Sequence, residues 1–211
     1  RARNAADHAH IPHRRRGIAY GDTSFVIAEL GGKNPTIVTD SADLDLAADG
    51  IVFSAFDLTG QKCSALSRVL VTTGVHDELV AKVTERAAGL KFADPAEVDA
   101  FAGPLIAQSA VARYRDKVEA ARRDGFTVAG GAAPAEGSYL PEAVVVSGIP
   151  HTHPLAREEH FLPFVTISRV ESRDEALFVA NDVPLGLTAG IYTGVRAEAK
   201  LFLETIQAGN V

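Results

Sequence analysis

The chain has 211 residues, of which 46% are hydrophobic and 23% are charged, with a formal net charge of −6. This composition is typical of a folded globular protein and excludes an intrinsically disordered or low-complexity chain. The single cysteine excludes an intramolecular disulfide and a four-cysteine metal site. A lone free thiol favours a reducing compartment, so we expect a cytoplasmic protein. No apolar run approaches the roughly 18 residues of a membrane-spanning helix, and we expect no membrane partner.

Residues 1–21 are rich in arginine and histidine and show no hydrophobic period. We interpret them as an atypical basic segment, either a solvated tail or a sequence foreign to the domain, ahead of a domain that spans residues 22–211. The alternatives are a phosphate or nucleic-acid contact and a metal site. Three histidines without a fixed carboxylate or cysteine partner argue against the metal (His8, His10 and His13). The main body has no basic stripe with interleaved aromatic residues, so we expect no nucleic-acid partner.

From Ser24 onward, β-prone runs alternate with helical periods. Strands are predicted at residues 25–27, 36–38, 69–71, 126–128, 144–146, 164–170 and 187–192. Helices are predicted at residues 43–53, 75–90, 110–123, 172–181 and 196–206, the fourth of them opened by a capping box of Ser172 and Glu175. The alternation predicts an α/β fold, with a mostly parallel sheet and helices on both faces. Because residues 209–211 are typical of a strand that begins, we expect this sheet to be incomplete at both ends.

Cys63 lies in the segment Gly-Gln-Lys-Cys-Ser-Ala, in a predicted turn between a helix and a strand. A free cysteine is most often a buried, inert side chain. Its polar neighbours, however, are not typical of a core, and functional residues concentrate in turns. The ammonium of Lys62 would favour the thiolate, which is the nucleophilic form. A structural and a catalytic cysteine both remain open at this point.

Glu29 ends a short apolar strand and precedes two glycines. A carboxylate at the carboxyl end of a strand lies where open α/β sheets gather their ligands, and a solvated turn acid is the alternative. A cysteine nucleophile with a separate carboxylate base would explain both Glu29 and Cys63. The thiolate would attack a carbonyl, and the carboxylate would then activate the water that releases the acyl group.

Four segments, in chain order, resemble motifs of the aldehyde dehydrogenase superfamily. Residues 29–33 (Glu-Leu-Gly-Gly-Lys) resemble its glutamate signature, and residues 60–63 resemble its cysteine signature at the customary spacing. Residues 158–163 resemble its Glu-Glu-x-Phe-Gly-Pro stretch, and residues 181–188 resemble its Asn-x-x-x-x-Gly-Leu segment. The resemblance covers roughly residues 25–211 and implies the fold of the catalytic domain of that family.

The resemblance implies a role for five side chains. Cys63 would be the nucleophile, and Glu29 the base that hydrolyses the thioester. Glu159 would hold the hydroxyls of the nicotinamide ribose, and Phe161 would pack near the nicotinamide ring. Without the resemblance, Glu159 is interpreted as a surface acid and Phe161 as an aromatic ring of the core. The sequence around the cysteine further resembles the 1-pyrroline-5-carboxylate dehydrogenases, in which Ser64 would hydrogen-bond the substrate carboxylate.

The implied reaction is oxidation of an aldehyde to a carboxylate with NAD, or with NADP, through a cysteine thioester. Glutamate 5-semialdehyde is the implied substrate, as in proline degradation, with succinate and ketoglutarate semialdehydes as alternatives. A homo-oligomer is implied for the full-length form. The cofactor-binding half of the family has no match in residues 1–21, so an inactive truncated fragment is the non-enzymatic alternative. A cysteine hydrolase is a third alternative, and it would need a histidine near Cys63.

Two further residues bear on the resemblance. Leu162 stands where the family has glycine, and Lys33 is interpreted as structural.

Overall fold

A computed structural model describes residues 31–211. The basic segment of residues 1–21, the predicted strand at residues 25–27 and the predicted base Glu29 lie outside the described residues. No helix among residues 31–211 is long and apolar enough to cross a membrane.

The described residues contain six strands and six α-helices. The strands are β1 (Asn34–Val38), β2 (Leu66–Thr72), β3 (Thr127–Gly130), β4 (Val144–Ser147), β5 (Phe164–Val170) and β6 (Gly190–Tyr192). The helices are α1 (Leu44–Phe56), α2 (His76–Ala88), α3 (Gln108–Arg123), α4 (Pro154–Arg157), α5 (Arg173–Asn181) and α6 (Arg196–Thr205).

The strands form one sheet in the order β3-β4-β5-β2-β1-β6. β3 pairs with β4 in the antiparallel sense, and each of the other neighbouring pairs is parallel. Parallel neighbours require crossover connections, which the intervening helices provide. The predicted α/β fold with a mostly parallel sheet is confirmed.

Helices cover both faces of this sheet, because successive strand residues point to opposite sides. Val69 and Val71 of β2 face α1 and α2 on one side. Leu70 faces α5 and α6 on the other side, and Val146 of β4 faces α3 and α4 on that same side. Buried apolar side chains therefore fill both layers between helix and sheet, as expected for parallel strands.

Two amphipathic helices follow the predicted apolar stripes. In α2, Leu79, Val83 and Ala87 recur every four residues and are buried. In α3, Tyr114 and Val118 are likewise buried against the sheet. This spacing brings side chains to one face of a helix, so the period of the sequence determines which side packs.

The helix ends show one difference from the expected capping box. Ser172 Oγ accepts a hydrogen bond from Glu175 N–H at 3.2 Å, as expected. The Glu175 carboxylate, however, accepts from Glu171 N–H at 2.7 Å and not from the capping residue itself. The helix α1 begins after Asp43, whose carboxylate accepts from two backbone N–H groups of the first turn.

The last strand is shorter than the predicted range of residues 187–192, because β6 begins at Gly190. The backbone N–H of Thr188 donates instead to the side chain of Asn34. Thr188 also forms a single parallel bridge with Asn210. Ahead of β6, a hydrogen bond to a side chain and an isolated β-bridge thus take the place of regular strand pairing.

Candidate active site

The candidate residues lie at the amino ends of the parallel strands. The Gly31-Gly32 pair precedes β1, the segment at residues 57–65 precedes β2, and the segment at residues 158–163 precedes β5. Ligands of open α/β sheets usually gather at the carboxyl ends, which is where Glu29 is expected relative to its own strand. The described candidates instead meet at the amino ends of the neighbouring strands β5, β2 and β1.

The segment at residues 57–65, here named the cysteine turn, has an unusual backbone. Leu58, Thr59 and Gly60 have positive φ angles of 51°, 60° and 63°. Such angles strain residues that carry a Cβ atom, and they persist only where the surroundings enforce them. One enforcing contact is the hydrogen bond that Thr59 Oγ1 donates to the carbonyl of Gly103 at 2.8 Å.

Gly60 permits a close approach between the cysteine turn and the segment ahead of β5. A Cβ atom at this position would lie 2.2 Å from the carbonyl oxygen of Leu162 and 2.9 Å from the nitrogen of Pro163. Both are backbone atoms that cannot rotate away. Glycine is therefore required here by the positive φ angle and by the contact.

Cys63 and Ser64 are exposed at the tip of the cysteine turn. The ammonium of Lys62, expected to assist the thiolate, has another partner. It forms an ion pair with the Asp57 carboxylate at 2.9 Å and lies 5.9 Å from the centre of the Phe53 ring. An assisting role for Lys62 toward the thiol is therefore weakened by this competing carboxylate.

The glycine pair ahead of β1 brings two predicted site residues together. Gly32 N–H donates to Glu159 Oε1 at 3.0 Å, and a Cβ atom on Gly31 would lie 1.7 Å from Glu159 Oε2. A Cβ atom on Gly32 would lie 2.4 Å from the carbonyl oxygen of Cys63. The backbone of this pair is thus packed between the Glu159 carboxylate and the cysteine turn.

Phe161, which precedes the leucine that stands where the family has glycine, has an unusual backbone. Its φ angle is +57° and its side chain is 40% exposed. A left-handed residue with a large side chain costs about 1–3 kcal/mol. Leu162 instead is buried in the core beside α3, and Arg113 Nε donates to the carbonyl of His160 at 3.1 Å. Both contacts hold the segment in place and leave the Phe161 ring facing outward.

A buried lysine and histidine lie behind the glycine pair and share one acceptor. Lys33 Nζ and His160 Nε2 donate to the carbonyl oxygen of Leu155, at 3.2 Å and 2.8 Å. Burial, followed by the charges of Arg68 and Lys117, lowers the pKa of Lys33 to about 7. Burial, followed by the charge of Lys33, lowers the pKa of His160 to about 3. His160 is therefore neutral near pH 7, and its buried Nδ1 atom has no hydrogen-bond partner within residues 31–211.

Arg68 is a second buried cation that the sequence did not single out. It is 1% exposed and donates to the carbonyls of Lys33, Val179 and Ala180, at 3.1, 3.2 and 2.7 Å. The last two carbonyls belong to the final turn of α5, where a cation complements the helix dipole. Burial, more than the nearby Arg157, lowers the pKa of Arg68 to about 10. Arg68 thus joins α5 to the start of β1.

A cavity of about 350 Å³ opens beside the cysteine turn. Ser64, the predicted ligand of the substrate carboxylate, lines it together with Ser54 and Tyr192. This volume suits a small molecule. Among the described residues, the larger cavities of about 420, 670 and 860 Å³ are lined by other parts of the fold and contain no predicted site residue.

The arrangement does not favour a cysteine hydrolase. Among residues 31–211, no histidine is hydrogen-bonded to Cys63. His160 is bound to Leu155, and His76 Nδ1 lies 2.7 Å from the Asp77 carboxylate. Within the same residues, no group of three or more histidine, cysteine, aspartate or glutamate side chains is arranged to hold a metal ion.

Comparison with proteins of known sequence gives a consistent family. A family model described as the aldehyde dehydrogenase family matches residues 17–211. The chain is 36% identical over 186 residues to the 1-pyrroline-5-carboxylate dehydrogenase of Geobacillus sp. (strain WCH70), covering 88% of this chain and 36% of that protein. It is 33% identical over 188 residues to the alpha-ketoglutaric semialdehyde dehydrogenase of Bacillus subtilis (strain 168), covering 87% and 38%.

Solved structures agree with this result. Lactaldehyde dehydrogenase from Escherichia coli superposes with a TM-score of 0.83 at 35% identity, covering 86% of this chain and 39% of that one. A 1-pyrroline-5-carboxylate dehydrogenase from Thermus with bound NAD gives a TM-score of 0.80 at 35% identity, covering 85% and 35%. The chain thus spans between 35% and 39% of the length of these four relatives. On its sequence and its fold, the chain belongs to the aldehyde dehydrogenase family.

Proposed function

We propose that the protein containing this chain oxidises an aldehyde to a carboxylate with NAD, through a thioester at Cys63. The observation that carries the proposal is the packing of the Gly31-Gly32 backbone between the Glu159 carboxylate and the carbonyl of the exposed cysteine. Three segments that resemble the family motifs meet there. An inactive fragment remains the alternative that the experiment must exclude.

The proposed chemistry uses two side chains in succession. The Cys63 thiolate attacks the aldehyde carbon, and the carbon–sulfur bond formed gives a thiohemiacetal as its alkoxide, which loses hydride to become a thioester. NAD, when bound, supplies the acceptor for that hydride. Glu29 takes a proton from the water that attacks the thioester carbon. The carbon–sulfur bond then breaks, the acid product leaves and the thiolate is regenerated.

The described residues fit the nicotinamide end of the cofactor. The Glu159 carboxylate is fixed at one oxygen by Gly32 N–H, and carboxylate oxygens accept hydrogen bonds from ribose hydroxyls. Gly31 has no Cβ atom, and this leaves the space that Glu159 Oε2 occupies. The partly exposed Phe161 ring offers an apolar face for the nicotinamide ring. We therefore assign Glu159 and Phe161 to cofactor binding.

We propose glutamate 5-semialdehyde as the substrate, with ketoglutarate and succinate semialdehydes as the alternatives. The names of the relatives support the first two. All three aldehydes carry a carboxylate at the far end, and the hydroxyl of Ser64 lines the adjoining cavity, where it would donate to that carboxylate. We further propose that the complete protein is a cytoplasmic homo-oligomer. Light scattering on the purified protein tests its oligomeric state.

The test uses the complete reading frame that encodes this chain. The wild type is assayed for NADH and NADPH formation with the three semialdehydes and with acetaldehyde, which has no carboxylate. Cys63→Ala is expected to abolish turnover with every aldehyde while circular dichroism stays unchanged. Turnover that persists in this variant refutes the covalent mechanism. A folded wild type that oxidises none of the aldehydes supports the inactive alternative.

Two further variants separate the roles of the other residues. Ser64→Ala is expected to raise KM about tenfold for the semialdehydes and to leave acetaldehyde unaffected, because one hydrogen bond to a charged group is lost. Glu29→Gln is expected to release NADH in a rapid burst followed by slow turnover, since only hydrolysis of the thioester needs the base. Equal slowing of the burst and of the later phase would show that Glu29 is not a selective deacylation base.

A further inference from the structure

The side chain of Asn34 joins three segments of the candidate site. Its Nδ2 group donates to the carbonyl oxygens of Cys63 and Ala65, both at 2.8 Å. Its Oδ1 atom accepts from Thr188 N–H at 3.0 Å. The residue is 2% exposed, so water competes little for these bonds. Both donors and the acceptor of the carboxamide are engaged, and the partners determine which way it points.

The backbone explains why a side chain is needed at this position. Pro35 has no N–H, and the pairing of β1 with β2 shifts register between Asn34 and Pro35. The regular ladder is therefore interrupted at the start of β1. The Asn34 carboxamide supplies donors to two carbonyls that lie just ahead of β2, and buried carbonyls require such partners.

Gly32 makes the contact possible. A Cβ atom there would lie 2.4 Å from the Cys63 carbonyl oxygen and 2.7 Å from Asn34 Nδ2. No side chain fits between these atoms. The second glycine of the pair thus admits the asparagine–cysteine contact, and its N–H binds the Glu159 carboxylate.

We propose that Asn34 is a positioning residue for the nucleophile, acting through the carbonyl of Cys63. The proposal rests on the proposed function of that cysteine. The peptide between Cys63 and Ser64 is trans and planar, so holding its carbonyl also determines the direction of Ser64 N–H. The thiol and the adjoining backbone are then presented to a bound aldehyde in one orientation, which is the condition for efficient attack.

Asn181 provides a matched control. Its Nδ2 group donates to the carbonyl of Thr205 at 3.1 Å, and its Oδ1 atom accepts from Gln207 N–H at 2.8 Å. This carboxamide also bridges backbone segments, but it joins the end of α5 to the end of α6. A general loss of stability from removing a bridging asparagine is expected in both positions, whereas an effect on the cysteine turn is expected only for Asn34.

Hydrogen exchange with mass spectrometry on the complete protein measures the cysteine turn directly. Two of its amides are bonded within the turn, Gln61 N–H to Leu58 and Ala65 N–H to Lys62. In Asn34→Ala, exchange in the peptide covering residues 61–66 is expected to accelerate by roughly tenfold or more, because two hydrogen bonds are lost. In Asn181→Ala, the acceleration is expected near residues 205–207 and not in this peptide.

Two more variants vary the donors at the same position. Asn34→Asp keeps the acceptor for Thr188 but places a carboxylate oxygen against the two carbonyl oxygens that Asn34 Nδ2 binds, so this repulsion is expected to accelerate exchange more than Asn34→Ala does. Asn34→Ser keeps a single hydroxyl donor and is expected to be intermediate. It also preserves the test if the aspartate variant does not fold.

Steady-state kinetics supply the second readout. For Asn34→Ala, kcat is expected to fall by about 10- to 100-fold with KM within about twofold, because a misplaced nucleophile slows attack more than binding. Unchanged exchange at residues 61–66, or the same acceleration in Asn181→Ala, would overturn the proposal, as would an unchanged kcat in an active enzyme. If the wild type oxidises no aldehyde, the proposed function fails by itself, and the exchange result alone then decides whether Asn34 holds the turn.

Discussion

Replacing Lys33 with methionine removes a buried ammonium and keeps most of its hydrocarbon volume. The Leu155 carbonyl retains a donor in this variant, because His160 Nε2 binds it at 2.8 Å. The pKa of Lys33 is lowered from its ordinary value of 10.5 to about 7, chiefly by burial and then by Arg68 and Lys117. Below about pH 7, the folded protein therefore carries a charge that its environment disfavours.

The sign and the size of the effect follow from proton linkage. Between about pH 7 and 10.5 the unfolded chain keeps the proton on Lys33 and the folded chain has lost it, so stability rises with pH. One proton corresponds to about 1.4 kcal/mol per pH unit, less near the ends of this interval. From about pH 7 to 9 the wild type should thus gain about 2 kcal/mol in free energy of unfolding relative to Lys33→Met.

Urea unfolding followed by circular dichroism, at several values of pH, measures this difference. Lys200→Met is the control, since it removes a lysine whose side chain is 76% exposed. We expect the gap between wild type and Lys33→Met to change with pH and the gap to Lys200→Met to stay constant. A pH-independent gap for Lys33→Met would show that the ammonium is not destabilised by its surroundings, and the interpretation of the buried cluster would be wrong.

Two other substitutions test neighbouring features of the site. The pKa of His160 is lowered to about 3, so the folded protein loses stability as the pH falls below 6.5. On acidification from about pH 7 to 5, the free energy of unfolding should therefore fall by about 2 kcal/mol less in His160→Ile than in the wild type. The same urea titrations measure this difference. Gly60→Ala places a Cβ atom 2.2 Å from the carbonyl oxygen of Leu162 at a φ angle of +63°, so it should lower the free energy of unfolding by about 2–4 kcal/mol. Gly137→Ala is the control, because its Cβ atom would meet nothing within 4 Å at a similar φ angle of +77°. An equal loss in both glycine variants would attribute the cost to the backbone angle alone.

Much of the fold was predictable because its helices carry regular apolar stripes. In α2 the spacing of Leu79 and Val83 is by itself enough to identify the buried face. The helix α4 has only four residues, and such a length carries no period. The antiparallel direction of β3 was not predictable either, since direction depends on how the chain returns to the sheet edge and not on local residues.

Some residues of the candidate site could likewise be predicted from the sequence, and others could not. Local polar context placed Cys63 in a turn, and the motif resemblance singled out Glu159 and Phe161. The burial of Lys33 and Arg68 had no signal in the sequence, because cationic side chains are usually exposed. The acceptor of Lys33 and two of the three acceptors of Arg68 are backbone carbonyls 111 to 122 residues away in the chain, which only the tertiary fold brings close.

The position of the site at the amino ends of the strands has a consequence for folding. Gly32 and Glu159 are separated by 127 residues, and Asn34 and Thr188 by 154. Contacts of such sequence separation form late, because the entropy of closing long loops must be offset by other contacts first. A chain on which β5 and the segment ahead of β6 have not yet docked therefore lacks the Glu159 contact to Gly32 and the Thr188 contact to the Asn34 carboxamide. The full set of contacts around the cysteine turn is therefore complete only after these two distant segments have joined β1.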